Sequence, residues 1–433
     1  MLVRLLLRFA TLAMKFALAL VVARTLGFDA VGAYGLAVAA SVIASKVLGL
    51  GFSPELNRRL SEADPSPALR EARVLGAVYG ALYLLLGALL AAATLSPPTA
   101  DAFDVFGTFG LPPLLAWCVL LVALSEHAAF EANSWMFSLH RPRAGSLLLF
   151  VRTGAWAGIA CAGLFTGVLR SIEAVFVLWF ASNACVVVIA WRRIGALSRN
   201  ARHARPPDRT PLLHGMFAVW RHGMPFYVAG VILATLQYAE RFIAGAHLGA
   251  DALGRYVFAW SIANAVQAVA FTTVVVTAGP RFVRTLADTP DAFPRQLMRA
   301  AVASAAVTIL AAAAILVVHR DVFRLAHEPV GPNDVVLLAV LLLSFVLRSV
   351  ADVLWTAAIA LRTGIAALLS MAAVALLYLP FAWRLIADAG ATGAAFVHLA
   401  ASAGIAAALA LVVTRGTATH TPRTNPEATS DAA

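Results

Sequence analysis

Two lysines are the first candidates for chemistry in this chain. Lys15 and Lys46 are its only lysines, and each lies inside a long apolar run. A charged side chain near the centre of a bilayer costs about 3 kcal/mol on insertion scales, so such a residue usually faces a cavity or an ionic partner. Arg241 and Arg348 stand in similar apolar surroundings. These cations predict an anion-binding cavity, with snorkelling of the two lysines toward the headgroups as the alternative.

Acidic residues beside two of these cations indicate how their charge is balanced. Arg348 and Asp352 are spaced i, i+4, which places them on the same face of a helix as an ion pair. A self-neutralised pair that lowers the cost of insertion is therefore the alternative to a binding role for both. Glu240 precedes Arg241 directly, and adjacent residues of a helix point about 100° apart. We expect each of these two to find its partner elsewhere, with Glu240 as a counter-ion or coupling residue.

Two further carboxylates, Glu126 and Glu131, share one apolar run. A buried carboxylate can bind and release a proton, so Glu126 is the candidate for coupling to a proton gradient. A counter-ion for Lys46, or a position at a helix end facing the cytosol, are the alternatives. Asn264 and Gln267 lie on one face of a predicted helix, where they could hydrogen-bond a ligand or a neighbouring helix.

No set of residues typical of an enzyme or of a metal site stands out in the sequence. There is no Walker-type glycine-rich loop, no spacing of metal ligands, and no motif that would bring Ser, His and Asp together. The three cysteines lie singly inside apolar runs, so neither a disulfide framework nor a zinc site is indicated. We therefore expect no catalytic residues, no metal and no cofactor, and a protein that is not an enzyme.

The elements that position these residues are predicted to be membrane-spanning helices. The chain of 433 residues is 61% hydrophobic and only 13% charged, whereas soluble domains carry roughly 25% charged residues. About twelve apolar stretches approach the length of about 20 residues that crosses a bilayer as a helix. The composition predicts an all-α polytopic membrane protein with about twelve transmembrane helices.

The positions of the arginines decide between two partners that a basic protein could have. The formal net charge of +11 would suit nucleic acid as well as a membrane. With the N-terminus placed in the cytoplasm, most Lys and Arg residues fall on the cytoplasmic side, which is the distribution that the positive-inside rule describes. We therefore expect the lipid bilayer and not nucleic acid as a partner, and both termini in the cytoplasm.

One short polar stretch is written twice. LGFDAVGAY begins at Leu26 and LGADALGRY at Leu248, and a second pair, PELNRRL from Pro54 and PRFVRTL from Pro280, follows in the same order. Six predicted helices separate the copies, so both have the same orientation, as in a parallel repeat of two six-helix bundles. Because glycines permit positive φ and Asp can bond nearby backbone amides, each copy is predicted to form a hairpin corner. The residues shared by the two corners are Gly27, Asp29, Gly32 and Tyr34, and Gly249, Asp251, Gly254 and Tyr256.

The repeat divides the chain into four predicted parts. Residues 1–191 form an N-terminal six-helix bundle, and residues 223–413 form a C-terminal one. Residues 192–222, rich in arginine and with three prolines, form a basic cytoplasmic linker between them. Residues 414–433, rich in Thr, Pro and Ala, lack apolar periodicity and are expected to be a disordered cytoplasmic tail.

The motifs around the repeat resemble those of a known family. ARTLG, VGAYGLAVAASVI and GLGFSPELNRRL look like the first half of Wzx-type polysaccharide flippases, and ERFIAGAHLGADALGRYVFAWSI looks like the start of their second half. These flippases belong to the multidrug/oligosaccharidyl-lipid/polysaccharide exporter superfamily, and the resemblance extends to about residue 413. It implies a transporter of the bacterial inner membrane that moves an undecaprenyl-pyrophosphate-linked oligosaccharide from the inner to the outer leaflet by alternating access.

The resemblance also implies what the product is for and how the cations act. The exported sugar would enter the synthesis of O-antigen, other lipopolysaccharide, exopolysaccharide or capsule, with a polysaccharide polymerase and chain-length complex as partner. Lys15, Lys46 and Arg241 would then neutralise the pyrophosphate, while the polyprenyl tail stays in the lipid.

Two other functions fit parts of the sequence. A cation-coupled multidrug or small-molecule antiporter of the same superfamily would have an acidic cavity for cationic drugs, whereas the intramembrane lysines favour an anionic cargo. A membrane-embedded polysaccharide polymerase or ligase would have long external loops with clustered arginines, and the external loops predicted here are short.

Overall fold

The computed structural model describes residues 2–62, 64–95, 112–204, 212–326 and 331–420. Within these ranges the chain forms helices joined by short turns, with no β-strand. Large apolar side chains such as Leu84, Val317 and Leu377 stand on the outer surface, each 78% exposed or more. An outer surface of this kind suits contact with lipid and not with water.

Seven helices make up the first half of the chain. Six are long, and α3 is a short helix with Arg58 and Arg59 in its last turn. In chain order they are α1 (Leu2–Leu26), α2 (Phe28–Val47), α3 (Ser53–Leu60), α4 (Ser66–Leu95), α5 (Pro113–Ser138), α6 (Pro142–Phe165) and α7 (Ile172–Ala204).

Five helices make up the second half, and the last of them is kinked. At Gly390 the backbone has a φ of 61°, which divides that helix into α12a (364–389) and α12b (391–420). In chain order the helices are α8 (Leu212–His247), α9 (Ala250–Asp288), α10 (Phe293–Leu325), α11 (Pro332–Ala360) and α12 (Gly364–His420).

The number of helices agrees with the prediction from composition. Nine helical segments of the described residues are long and apolar enough to cross a membrane. With the kinked α12 counted as two helices, and with α1 and α8, the described residues hold about twelve. The predicted all-α polytopic fold is confirmed.

Three helix ends differ from the predicted boundaries. Helix α7 continues to Ala204 and α8 begins at Leu212, so most of the predicted linker 192–222 is helical. Helix α12 continues to His420, seven residues into the predicted tail 414–433. Polarity alone does not end a helix, since Arg and Ala favour it, and a charged helix can continue beyond the bilayer. The division into bundles, linker and tail stays a prediction, and residues 205–211 and 421–433 lie outside the described part.

The second repeated pair of motifs is held differently in the two halves. In the first half α2 ends at Val47, a turn follows in which Leu50 and Gly51 have positive φ, and Pro54 lies in the first turn of α3. In the second half α9 stays continuous through Pro280, with a π-helical segment at Phe271–Val275. The same sequence pattern therefore follows a turn between two helices in one half and a π-helical widening of a continuous helix in the other.

The duplicated stretch forms the two predicted corners. Gly27, with a φ of 88°, separates α1 from α2, and Gly249 is the N-cap of α9 after α8. Both corners lie at the same end of the molecule, which we call the motif end. The other end, where α2 turns into α3, is called the opposite end.

The two corners also pack against each other, which the sequence did not indicate. A Cβ on Gly254 would lie 1.8 Å from the carbonyl oxygen of Phe28, and a Cβ on Gly32 would lie 3.1 Å from the carbonyl oxygen of Ala250. One step further along, a Cβ on Gly35 would lie 2.4 Å from Val257. Only glycine lets the backbones of α2 and α9 approach so closely. We call this contact between the two halves the glycine seam.

Candidate binding cavity between the two halves

A cavity of about 220 Å³ lies between the two halves of the chain. Its wall is formed by α1, α2, α5 and α7 from the first half and by α8 and α9 from the second. Its polar and aromatic lining residues are Lys15, Phe16, Tyr34, Ser41, Glu126, Trp179, Tyr238, Arg241, Trp260, Ser261 and Asn264. Three of the predicted site residues, Lys15, Glu126 and Arg241, therefore meet in one space.

Lys15 projects from α1 into this cavity. The side chain is exposed within the space although protein surrounds it, and Glu126 and Arg152 lie within electrostatic range. An ammonium group in this position can reach a ligand without leaving the protein interior.

Glu126 is held by two partners on its own half. Its Oε1 lies 3.5 Å from Nε of Arg152, and its Oε2 accepts a hydrogen bond of 3.1 Å from Nε1 of Trp179. Arg152 is only 9% exposed and its guanidinium also lies 5.2 Å from the ring of Phe130. The carboxylate of the cavity is thus paired, which suits the counter-ion alternative, and its partner is Arg152 and not Lys46.

Arg152 was not among the predicted site residues. It lies in a π-helical segment of α6, Val151–Ala155, where the rotation of residues around the helix differs from that of an α-helix. In the sequence, Arg152 stands close to the predicted cytoplasmic end of its helix, where an arginine usually anchors the helix at the membrane interface. No sequence pattern marks the π-helical segment in advance.

Arg241 reaches the cavity from α8 and bonds the other half. Its Nη1 donates to the backbone oxygen of Gly35 at 2.8 Å. The guanidinium carbon lies 3.7 Å from the ring centre of Trp260 and 5.1 Å from that of Tyr238. The side chain is only 1% exposed, and Nε and Nη2 have no hydrogen-bond partner among the described residues. These are the features of a buried cation that still has donors to offer an anion.

Aromatic rings form much of the remaining wall. Trp179 stacks on Trp156 with ring centres 4.7 Å apart and contacts Tyr34 at 6.2 Å. Across the cavity, Trp260 and Tyr238 lie 5.6 Å apart. Aromatic faces and neighbouring hydroxyl and amide groups can bind a sugar ring, and these rings were not singled out by sequence pattern because tryptophan is equally common in apolar helix cores.

Glu240 is not among the residues that line the cavity, and it finds a hydrogen-bond partner elsewhere, as the sequence predicted for a neighbour of Arg241. It is fully buried in the second half, and its Oε1 accepts a hydrogen bond of 3.2 Å from the hydroxyl of Tyr256. Tyr256 belongs to the second copy of the duplicated stretch, whereas its counterpart Tyr34 lines the cavity. The two copies therefore share a backbone shape but place their tyrosines in different surroundings.

Arg348 and Asp352 form the predicted i, i+4 pair on α11. Nε of Arg348 lies 3.7 Å from Oδ1 of Asp352, and Nε2 of Gln267 donates to Oδ2 of Asp352 at 2.5 Å. Neither Arg348 nor Asp352 is among the residues that line the cavity. Their geometry matches the self-neutralised pair. Gln267 bonds a neighbouring helix, which was the alternative to binding a ligand together with Asn264.

Lys46 lies at a different depth from the one predicted. Helix α2 begins at Phe28 and ends at Val47, so Lys46 lies in its last turn and is exposed at the opposite end. It does not line the central cavity. Nearby, Glu131 is buried and accepts a hydrogen bond of 2.6 Å from Ser53. The structure therefore does not bring Lys46 together with Lys15 and Arg241.

The cavity is closed toward the motif end by the glycine seam. Beyond the seam lies a second, outer pocket of about 540 Å³, with Asp29 and Arg170 at its rim and apolar side chains on its walls. The remaining shared residues of the duplicated stretch, Gly32 and Gly249, also line this pocket.

At the opposite end, aromatic side chains of α8 grip the turn between α2 and α3. The hydroxyl of Tyr227 donates to the carbonyl of Val47 at 2.5 Å, and Nε1 of Trp220 donates to the carbonyl of Leu50 at 2.7 Å. Tyr79, from the first half, donates to the carbonyl of Gly49 in the same turn at 3.1 Å. Two of these carbonyls also accept a backbone amide of the turn, that of Val47 from Leu50 at 3.3 Å and that of Gly49 from Phe52 at 3.2 Å, so the side-chain donors add to bonds within the turn. We call the contacts of Tyr227 and Trp220 the aromatic latch.

The described residues contain no group of three or more His, Cys, Asp and Glu side chains placed to hold a metal ion. The polar groups on the cavity wall are an ammonium, a guanidinium, a carboxylate, hydroxyls and an amide, and aromatic rings lie beside them.

Solved structures with a similar fold are membrane transporters. The lipid II flippase MurJ in an inward closed conformation has a TM-score of 0.64 and 11% sequence identity, with 97% of this chain and 90% of that chain covered. An inward-facing multidrug resistance MATE family transporter of the MOP superfamily has a TM-score of 0.62 and 14% identity, covering 97% and 98%. A MOP superfamily transporter from Pyrococcus furiosus has a TM-score of 0.56 and 13% identity, covering 96% and 95%.

At these identities the structures establish the fold, and the family comes from the sequence. No curated protein sequence matches significantly. The family model described as "Polysaccharide biosynthesis protein" matches residues 1–286, which include the whole first half, both copies of the duplicated stretch and all polar residues of the cavity. The chain belongs to the polysaccharide biosynthesis protein family.

Proposed function

We propose that this protein is a flippase for a lipid-linked oligosaccharide. It moves an undecaprenyl-pyrophosphate-linked sugar from the inner to the outer leaflet of the bacterial cytoplasmic membrane, where the sugar enters O-antigen, exopolysaccharide or capsule synthesis. The lipid is carried across without any change in its covalent bonds, so the protein acts as a transporter and not as an enzyme. A polymerase and chain-length complex that uses the flipped product is the partner this role requires.

The charge of the central cavity is the observation that carries this proposal. Lys15 and Arg241 reach the cavity from different halves, and the one carboxylate on its wall, Glu126, is already held by Arg152 and Trp179. Charge-assisted hydrogen bonds to phosphate are strong, and an arginine can bind two phosphate oxygens at once. The aromatic rings beside the cations supply faces for the first sugar.

The distribution of arginines supports an orientation with the motif end outside. Arg58 and Arg59 on α3, Arg141 before α6, and Arg281 and Arg284 on α9 all belong to the opposite end. The positive-inside rule places such residues in the cytoplasm, and both termini with them. The headgroup then enters the cavity from the opposite end and leaves past the glycine seam, while the polyprenyl chain stays in the surrounding lipid.

A cation-coupled multidrug antiporter is the second candidate, because MATE transporters share the fold. Such a transporter needs a carboxylate that can bind a cationic drug or exchange it for a proton. Glu126 is the only acidic side chain on the wall of the described cavity, and its oxygens are occupied by Arg152 and Trp179. The cavity therefore favours an anionic cargo over a cationic one.

A flipping assay tests the proposal. The protein is reconstituted in vesicles that carry a fluorescent polyprenyl-pyrophosphate-linked sugar, and the fraction of label that reaches the other leaflet is measured. We expect Lys15→Gln and Arg241→Gln each to slow flipping at least tenfold, since each removes one cation that neutralises the pyrophosphate. Arg324→Gln, which removes an exposed arginine of the surface pair with Asp321, is the matched control and should stay close to wild type.

Cationic dyes separate the two candidates. Uptake of a dye such as ethidium by the same vesicles under a proton gradient, together with no flipping above that of protein-free vesicles, would contradict the flippase and support the antiporter. Complementation of a flippase-deficient bacterial strain by the same variants gives the equivalent answer in cells.

A further inference from the structure

Arg241 lies where the glycine seam meets the central cavity. Its bond to the carbonyl of Gly35 joins α8 of the second half to α2 of the first, at 2.8 Å. Gly35 is also the point at which Val257 of α9 presses on α2, because a Cβ there would lie 2.4 Å from the valine. The Arg241 bond is therefore a tie between the halves at the inner edge of their closest approach.

Neither helix needs this tie for its own stability. Gly35 lies within α2, where its carbonyl already accepts the amide hydrogen of the residue four positions later, and the oxygen has a second lone pair that Arg241 uses. The tie can be broken without loss of a helical hydrogen bond. What breaks with it is a contact between the two halves.

Arg241 has more to gain from an anion than from a carbonyl. The guanidinium is buried between the rings of Trp260 and Tyr238, and its Nε and Nη2 have no hydrogen-bond partner among the described residues. Hydrogen bonds between two charged groups are roughly twice as strong as those involving neutral groups. A phosphate in the cavity would satisfy several guanidinium hydrogens at once and neutralise the buried charge.

We propose that a phosphate group arriving in the cavity takes Arg241 away from the carbonyl of Gly35 and so releases the two halves at the motif end. The inference rests on the proposed function, because the pyrophosphate of the cargo is the anion. With the seam closed, the phosphate competes with Gly35 for Arg241; with the halves apart, Arg241 is free to bind it. The cargo therefore binds the open form more tightly, which is the condition for any ligand to shift a conformational equilibrium.

This exchange would couple opening at the motif end to the loading of the cavity. An empty cavity keeps the tie and leaves the motif end shut, so nothing leaks through. A loaded cavity loses the tie and opens at the motif end, where the headgroup is released. A hydrogen bond to a charged group is worth about a tenfold to hundredfold change in such an equilibrium.

Distances between two spin labels at the motif end test the proposal. The labels are attached at Arg24→Cys on α1 and Ala250→Cys on α9, both exposed positions, in a chain whose three native cysteines are replaced. Geranyl pyrophosphate is the probe, and geraniol, which lacks the phosphates, is its control. We expect geranyl pyrophosphate, but not geraniol, to raise the fraction of long distances in the reconstituted wild-type protein about tenfold.

Two cavity variants separate this inference from the proposed function. Arg241→Gln should raise the fraction of long distances without any ligand, because the tie is gone. Lys15→Gln removes a cation from the same cavity but no hydrogen bond between the described parts of the two halves, so it should lower the affinity for geranyl pyrophosphate and leave the resting distances unchanged. If both variants lose affinity while Arg241→Gln keeps the resting distances of the wild type, the tie has no role and the flippase proposal stands. If neither variant loses affinity, the flippase proposal itself fails.

A third variant guards against simple misfolding. Gly35→Ala leaves Arg241 in place but forces α2 and Val257 apart, since its Cβ has no room in the closed seam. We expect this variant to bind geranyl pyrophosphate more tightly than the wild type, about tenfold, because Arg241 no longer has to give up the carbonyl. A gain in affinity cannot come from a damaged protein, and unchanged or weaker binding by a folded Gly35→Ala protein would overturn the proposal.

Discussion

At the scale of single residues, the partners of each ionic group set the charge of the cavity. Arg152 forms an ion pair with one oxygen of Glu126, at 3.5 Å, and Trp179 donates a hydrogen bond to the other, so this carboxylate has partners on its own half before any cargo arrives. Lys15 and Arg241 both face the same space, and Arg241 has unused donors. The cavity is therefore positive because its acid is paired within one half while its cations come from both.

Removal of the Glu126 charge should mainly lower the free energy of unfolding. Glu126→Gln leaves Arg152, which is 9% exposed, without a charged partner, and breaking a buried ion pair from one side costs about 3 kcal/mol. The free energy of unfolding in detergent measures the loss. Adding Arg152→Met should restore most of it, because replacing both partners by apolar or neutral groups removes the uncompensated charge.

The exposed pair of Asp251 and Arg255 provides the comparison for this test. Asp251→Asn should change the free energy of unfolding by less than about 1 kcal/mol, as is usual for surface ion pairs. A Glu126→Gln protein that is as stable as the wild type, but whose transport no longer responds to a proton gradient, would show that Glu126 carries protons and is not a structural counter-ion.

At the scale of helices, the two ends of the central cavity are closed by different means. The glycine seam is a contact of backbone on backbone, with Gly254 against Phe28 and Gly32 against Ala250. The aromatic latch consists of two hydrogen bonds from α8 side chains to carbonyls of the turn after α2. The seam depends on shape and the latch on individual donors, so substitutions should affect them in different ways.

The seam should tolerate no side chain at its tightest point. Gly254→Ala places a Cβ 1.8 Å from the carbonyl oxygen of Phe28, which α2 can only avoid by moving away from α9. We expect the variant to lose several degrees of melting temperature and to show increased cysteine accessibility at the motif end. Gly80→Ala on α4 is the control, because no atom lies within 4 Å of its added Cβ and alanine favours a helix by about 1 kcal/mol over glycine. Equal stability of the two variants would mean that the seam is not a tight contact in the membrane.

The latch should loosen when one donor is removed. Tyr227→Phe deletes the hydroxyl that crosses to Val47 of the other half, so we expect a cysteine placed in the cavity by Asn264→Cys to react faster with a soluble maleimide from the opposite end. Tyr79→Phe removes a hydrogen bond to the same turn, but from within the first half, and should leave that rate unchanged. Equal rates for both variants would show that the turn is stabilised as a whole and does not act as a gate.

At the scale of the whole molecule, the fold could be predicted because a bilayer permits few solutions. Every backbone polar group must be satisfied inside the span, so apolar stretches of sufficient length have to be helices. The duplicated stretch likewise located both corners, although the predicted reason holds only in part: Gly27 takes the positive φ, whereas Gly249 has a φ of −64°. Neither corner has a side-chain hydrogen bond that caps its helix, and Asp251 pairs with Arg255 instead. Depth along a helix was harder to predict. Lys46 was placed too deep because α2 begins at Phe28, several residues before the long apolar run, and so ends just after the lysine.

Half of the cavity could be predicted, and the rest depends on how the helices are rotated and placed. Lys15, Glu126 and Arg241 were found because a charge in an apolar run is conspicuous. Arg152 was missed because a π-helical segment turns it toward Glu126. The packing of the corners on each other was missed for another reason: a repeat shows that two units are alike, but not how far apart their copies lie.

The close fit of Gly254 on Phe28, together with the aromatic latch, implies that the peptide joining α7 to α8 is not what keeps the halves in register. Two separately synthesised polypeptides, one ending after Ala204 and the other beginning at Leu212, should assemble in the same membrane and restore flipping. Co-purification through a tag on one fragment would measure the assembly. Such a split protein would behave as a heterodimer. Much of its affinity would come from the contact of backbone on backbone in the glycine seam, which point substitutions can only weaken.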